Sequence, residues 1–243
     1  MQVPEARAIA GAHVAITPIK GVYLLMMQAS ARPTNDVRAR RAIAAAIDPR
    51  QIARAGYGVL RAADSFLPPV FALHDPGSTT SDPATVTREL SAAGWQKRSS
   101  RWTKAGEPLS VTLAMAPERG TWMQLIEQEH LRRAGIDAQL KPYSTPLFNA
   151  PNGPLRSGAF TLAATRWIGA ADPEESVIFA CRQRGPDGNN SMNYCSRRFD
   201  KLFEEQAVTA DPRRRRRDFI EMQRIVRADA PIVAVAFDRM PTS

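Results

Sequence analysis

The sequence predicts an α/β domain with one central mixed sheet and helices on both of its faces. Three observations carry that prediction. Strand-length apolar or alternating runs recur at 21–28, 108–115, 136–143, 159–167 and 231–237. Between them lie segments with apolar residues at helical spacing, several opened by an Asp-Pro pair. Apolar residues make up 44% of the 243 positions, enough for a sizeable core. No run approaches the roughly 18 apolar residues that a membrane span needs.

In chain order, GVYLLMMQ (21–28) reads as a buried strand. NDVRARRAIAAAID (35–48) is an Ala-rich helix capped by Asn35 or Asp36. Asp48, Pro49 and Gln51 supply a cap, a first-turn proline and a capping-box partner for the next helix. Residues 57–80 contain Pro68-Pro69 and read as a long surface connection. Asp82-Pro83 opens a helix that stops at Gly94. PLSVTLAM (108–115) alternates with period two, as a half-buried strand does. Thr121 and Gln124 have capping-box spacing for a helix through Ala134, and Gly135 ends it. IDAQLKPY (136–143) and AFTLAATRW (159–167) are strands on either side of a Pro/Asn/Gly-rich connection. Helices over 196–209 and 212–229 lead into PIVAVAF (231–237), a continuous apolar strand.

The only two cysteines, Cys181 and Cys195, end the loop FACRQRGPDGNNSMNYC (179–195). Composition leaves a bridge and two free thiols both open. With no histidine nearby, the pair cannot make a four-ligand zinc site.

The formal charge is 33 − 24 = +9. That balance admits nucleic acid, an anionic surface or acidic ligands as partners. The densest run, Arg213–Arg217, opens a helix that packs through Phe219, Met222, Ile225 and Val226. It reads as a solvated helix face, with a basic nucleic-acid-binding domain kept as the alternative; no aromatics interleave the run to stack on bases. His13, His74 and His130 are scattered, and no HExxH, GxSxG or GxxxxGK[ST] occurs. AGYGVLRA (55–62) is a weak dinucleotide-loop match. His130 reads as a packing histidine. An enzyme is the least supported class, and neither cofactor nor metal is expected.

Several short stretches, in order, resemble one family. DVRARRAIAAAID (36–48), SDPATVTRELSAAGW (81–95) and LRRAGIDAQL (131–140) resemble helices and a helix-to-strand turn of family 5 extracytoplasmic solute-binding proteins. These are the dipeptide, oligopeptide and nickel receptors of bacterial ABC importers. RWIGAADP (166–173) is similar to their W-x-x-D-x-x-DP segment, NNSMNYCSRRFDKLFEEQ (189–206) to their N-x-x-x-Y motif and following helix, and ADAPIVAV (228–235) to their last strand. Together these cover about residues 22–238.

The resemblance implies a periplasmic binding protein type II-like lobe. Residues 22–238 would be the C-terminal ligand-binding lobe. Residues 1–21 would lead in from a second lobe, and 239–243 would start the return. It implies no catalysis, a monomer, a peptide or peptide-like small solute as ligand, and an inner-membrane ABC permease as partner. A single lobe would bind peptides weakly, because a two-lobe receptor buries its ligand between both. The location implied is periplasmic, although MQVPEARAIAGAHVAITPIK has no signal-peptide pattern. Some family members bridge cysteines at the places of Cys181 and Cys195, so a disulfide is implied here. Candidate ligand-binding residues carried over are Arg119, Trp167, Asp172, Asn190 and Tyr194. The family's Asp three residues after the Trp, which takes the ligand's amino group, is Ala170 here. A solute with a carboxylate or a blocked amine is therefore expected, unless Asp172 has taken that role.

Overall fold

The computed structural model describes residues 15–117, 121–170, 172–173, 175–185 and 187–242. Its centre is a six-stranded sheet in the order β2-β9-β1-β8-β6-β7. The strands are β1 (Ala15–Met27), β2 (Leu60–Ala62), β6 (Ser110–Met115), β7 (Asp137–Pro142), β8 (Leu162–Ile168) and β9 (Ile232–Thr242). β1 runs antiparallel to β8 and β9, and β9 antiparallel to β2, whereas β6 is parallel to β7 and β8. The expected mixed sheet is therefore present.

Its two faces follow from the period-two alternation along β1. Leu25 and Met27 enter one core with Ile43, Ile52, Leu90 and Leu131. These come from α1 (Val37–Ala46), α2 (Pro49–Ala55), α3 (Pro83–Ala92) and α4 (Trp122–Arg133). Val22, Leu24 and Met26 enter the other core with Phe148, Phe199, Phe219 and Met222. Those residues belong to α5 (Thr145–Asn149), α7 (Arg197–Val208) and α8 (Pro212–Asp229); the short α6 is Pro154–Ser157. Both faces of the sheet thus meet helices, and the full burial of Leu25, Val22 and Phe219 contributes about 1.5–3 kcal/mol apiece.

Helix starts follow their caps. The side chains of Asp36, Asp48, Asp82, Ser196 and Asp211 each accept a backbone N–H of the following first turn. Thr121 differs from expectation. It sits at the N-cap of α4 but makes no side-chain cap bond, its backbone being near φ −94°, ψ 1° rather than extended. The capping box is therefore not formed.

Two further differences involve long-range pairing. A small antiparallel meander, β3 (Gln96–Arg98), β4 (Arg101–Lys104) and β5 (Glu107–Pro108), precedes β6 and was not expected. It anchors through Trp102, 2% exposed, whose indole N–H donates to the Ala134 carbonyl at 2.9 Å. β1 also begins earlier than the apolar run at 21–28. Ala15–Pro18 pair with Thr242–Arg239, so β1 and β9 continue as a two-stranded ribbon past the end of β8 at Ile168.

Candidate ligand-binding site

The carboxyl ends of β6, β7, β8 and β9 all lie at one edge of the sheet, together with the start of β2 and the β1/β9 ribbon. In open α/β sheets, ligands bind in the crevice outside the carboxyl ends of the strands. Trp167 stands at this edge, paired with Val22 in register. It is half-buried, and its indole Nε1 is buried without a hydrogen-bond partner among the described residues. Asp172 follows on the loop after β8. It is exposed, and its Oδ2 accepts a hydrogen bond from Arg215 NH2 at 2.6 Å. Arg119, in the loop after β6, lies outside the described residues.

Sequence reasoning missed a charged cluster at this edge. Arg166 pairs with Asp238 across β1, and its guanidinium lies 5.8 Å from the Tyr23 ring centroid. Gly21 makes room for the pair. A Cβ there would sit 3.0 Å from Asp238 Cβ and 3.2 Å from its Oδ2. Arg215, on α8, is the second omission. Its Nε donates to Gln206 Oε1 at 3.1 Å, and its guanidinium stacks 5.4 Å from the Phe219 centroid. In the sequence it is one arginine within a run of five, and only its place four residues before Phe219, on the packing stripe, separates it from its exposed neighbours.

Asn190 and Tyr194 lie elsewhere. The loop that carries them packs against the other end of β1, where Ala29 N–H donates to the Met192 carbonyl at 2.8 Å. From Val22, opposite Trp167, to Ala29 is about 23 Å of extended chain at roughly 3.3 Å per residue. Asn190 is 1% exposed, and its Nδ2 donates to the carbonyls of Ala180 (3.1 Å) and Tyr194 (2.8 Å). Tyr194 is 4% exposed, and its hydroxyl donates to Asp229 Oδ2 at 2.6 Å. Burial first, and then the Asp229 carboxylate, raise its pKa. The four candidates among the described residues therefore do not all converge: Trp167 and Asp172 share the carboxyl edge, while Asn190 and Tyr194 organise a loop at the far edge.

That loop is closed by a disulfide between Cys181 and Cys195, with Cα atoms 4.6 Å apart. Asp200 Oδ1 accepts the Cys181 backbone N–H at 3.0 Å. The two sulfurs are bonded to each other, so the cluster with Asp200 offers no thiolate to a metal. Crevices of about 330 and 300 Å³ lie beside α1 on other surfaces and include none of the five residues. The first contains His130, 5% exposed, which accepts the Asp48 N–H at Nδ1 (3.3 Å) and meets Gln51 Oε1 at Nε2 (2.8 Å). Both ring nitrogens are thus engaged in packing α4 against α2.

Comparison with known proteins agrees with this architecture. The family described as bacterial extracellular solute-binding proteins, family 5 Middle, matches residues 2–189. The chain belongs to this family. Three solved structures share the lobe fold of the family 5 protein. The oligopeptide-binding protein AppA from Bacillus subtilis, in complex with a nonapeptide, has TM-score 0.81 at 18% identity, over 94% of this chain and 47% of that one. NikA from Brucella suis, in complex with Fe(III)-EDTA, has TM-score 0.82 at 21% identity, over 98% and 49%. The periplasmic binding protein DppA from Helicobacter pylori, in complex with the peptide STSA, has TM-score 0.83 at 18% identity, over 98% and 46%. The chain spans about half the length of these structures. No curated protein sequence matches it.

Proposed function

We propose that this family 5 chain is the solute-binding lobe of a bacterial ABC importer receptor. It holds a peptide or peptide-like solute in the periplasm for delivery to a permease and catalyses no reaction. Residues 22–238 form the lobe, with 1–21 and 239–243 leading to and from a second lobe. The observation that carries the reading is the gathering of strand carboxyl ends, the β1/β9 ribbon and Trp167 at one sheet edge. A ligand held there is beside the two strands through which a second lobe would be joined, so closure of one lobe on the other would cover it. Trp167 and the loop that bears Asp172 line the proposed site within the described residues, and Arg119 remains a proposed contact by its place in the sequence.

The distribution of positive charge supports a receptor over a nucleic-acid-binding domain. Arginines are dispersed over helices of both sheet faces, and many meet carboxylates. Arg132 and Arg133 meet Glu129, Arg198 meets Glu221, and Arg227 meets Asp75. A duplex-binding protein instead concentrates unpaired cations on one face.

Amide NMR titration of the chain with a tripeptide mixture tests the reading. Shifts should concentrate at 115–117, 143 and 166–172, with weak affinity from a single lobe. Shifts confined to 181–195, or a response only to a single-stranded oligonucleotide, would overturn it.

A further inference from the structure

We propose that Arg215 is a preformed anion receptor, occupied internally by Asp172, and that the solute carries an acidic group which takes the place of the Asp172 carboxylate. This rests on the solute-binding reading and specifies its ligand.

The two partners are held very differently. Arg215 is fixed on three sides. Its Nε donates to Gln206 Oε1 at 3.1 Å, its guanidinium lies 5.4 Å from the Phe219 centroid, and its NH2 donates to Asp172 Oδ2 at 2.6 Å. Gln206 is 6% exposed and itself tied to the Phe203 carbonyl, and Phe219 is fully buried. The Arg215 side chain is 28% exposed, whereas that of Asp172 is 63% exposed. The cation is therefore built into the packing, and the carboxylate reaches it from solvent on a loop. A guanidinium already fixed in place loses little further freedom on gaining a carboxylate, which makes it a good anchor. Asp172 can turn into water, where its charge is well solvated.

The surrounding charge favours an anion. Arg213, Arg216 and Arg217 share the first turns of α8, are exposed, and have no ion pair among the described residues. Arg214 is directed to Glu205 and Asp218. The positive end of the α8 dipole is met by the capping Asp211 carboxylate, so the excess positive charge here is that of the arginines. An amine seeking Asp172 would have to enter this cationic corner and draw the carboxylate off Arg215, leaving a partly buried guanidinium without its counter-charge. A carboxylate ligand leaves the guanidinium neutralised throughout. Asp172 lies on the loop that follows the strand carrying Trp167, so the Arg215 anchor belongs to the same carboxyl end of the sheet.

N-acetyl-Ala-Ala, with a carboxylate and no amine, and Ala-Ala amide, with an amine and no carboxylate, are the probes. Binding to the full chain would be followed by the Arg215 Nε–H resonance and the backbone amides. N-acetyl-Ala-Ala should shift the Arg215 resonance. Asp172→Asn should tighten that binding about five- to tenfold by removing the internal competitor. Arg215→Gln should abolish it, and Arg215→Lys, which keeps the charge and the contact with Phe219, should weaken it if Arg215→Gln does not fold. Preference for Ala-Ala amide, lost in Asp172→Asn, would overturn the anchor while leaving a solute-binding lobe. Amide shifts at the carboxyl edge with a silent Arg215 would do the same. Silence of every resonance toward both probes and toward the tripeptide mixture would overturn the solute-binding reading as well.

Discussion

The imidazole of His74 lies 3.3 Å from the Asp64 carboxylate through Nε2, while its Nδ1 lies 2.7 Å from the Leu67 carbonyl oxygen. The Leu67 carbonyl only accepts, so Nδ1 donates to it, and a proton on Nε2 would face the Asp64 carboxylate. The Asp64 hydrogen bond, the largest influence, raises the His74 pKa above its usual 6.5. The pair ties the 64–75 connection to itself beside Phe237, 6.2 Å from the imidazole. Its stabilisation is complete below about pH 6.5 and is lost as pH rises through the folded-state value. His74→Gln should therefore lie furthest below the wild type in urea midpoint near pH 6 and approach it by pH 9. A gap that widens with pH would contradict a His74 pKa raised by Asp64.

Glu127 gives a second, separable pH dependence. It is 1% exposed on α4, and burial raises its pKa from 4.5 to about 8. The folded chain therefore holds a proton that the unfolded chain releases. Stability declines as pH rises between the two values. Glu127→Gln should match the wild type near pH 4 and exceed it at pH 8 by about 1–3 kcal/mol, since one pKa unit corresponds to about 1.4 kcal/mol. Denaturant titrations at the two pH values decide it; equal gaps would show that the carboxyl is not buried as described.

The Cys181–Cys195 bridge encloses a loop with sequence separation 14. Chain entropy assigns such a loop roughly 3 kcal/mol of stabilisation. Intact mass after alkylation without reductant should show no label on protein made under oxidising conditions. The double variant Cys181→Ala/Cys195→Ala should lose up to about 3 kcal/mol in urea unfolding. Labelling of both thiols would refute the bridge.

Asn190 and Tyr194 should matter to stability and not to ligand. Asn190→Ala removes two buried hydrogen bonds and strands the Tyr194 carbonyl, the Ala180 carbonyl keeping the Gln183 N–H, at a cost of about 2–3 kcal/mol. Tyr194→Phe removes the bond to Asp229, at a cost of about 1 kcal/mol. Affinity for the tripeptide mixture should be unchanged in Tyr194→Phe. A tenfold loss of affinity with intact stability would return the residue to the ligand site.

Helix positions were legible because their determinants are local. Asp36, Asp48, Asp82 and Asp211 each cap the helix that begins next to them in sequence. Thr121 misled because a capping box needs extended backbone at the cap, which spacing cannot reveal. The meander around Trp102 escaped notice because its strands have only two to four residues and are stabilised by contact with Ala134 and Gly135. The candidate site was legible as residue types but not as a place. Whether Trp167 and Tyr194 stand together depends on which end of β1 each lies against, Val22 for Trp167 and Ala29 for the loop of Tyr194. Arg215 was overlooked for a related reason: its spacing to Phe219 hints at the packing face, but its polar partners Gln206 and Asp172 come from other elements.

The bridge and the Trp167 edge stand at opposite ends of the same sheet. If the chain is the receptor lobe proposed above, durability and cargo choice are thereby insulated from each other. A reducing environment would then shorten the working life of the molecule without altering what it captures. Variation in the 181–195 segment could likewise tune survival in harsh surroundings while selectivity evolves independently at the other end.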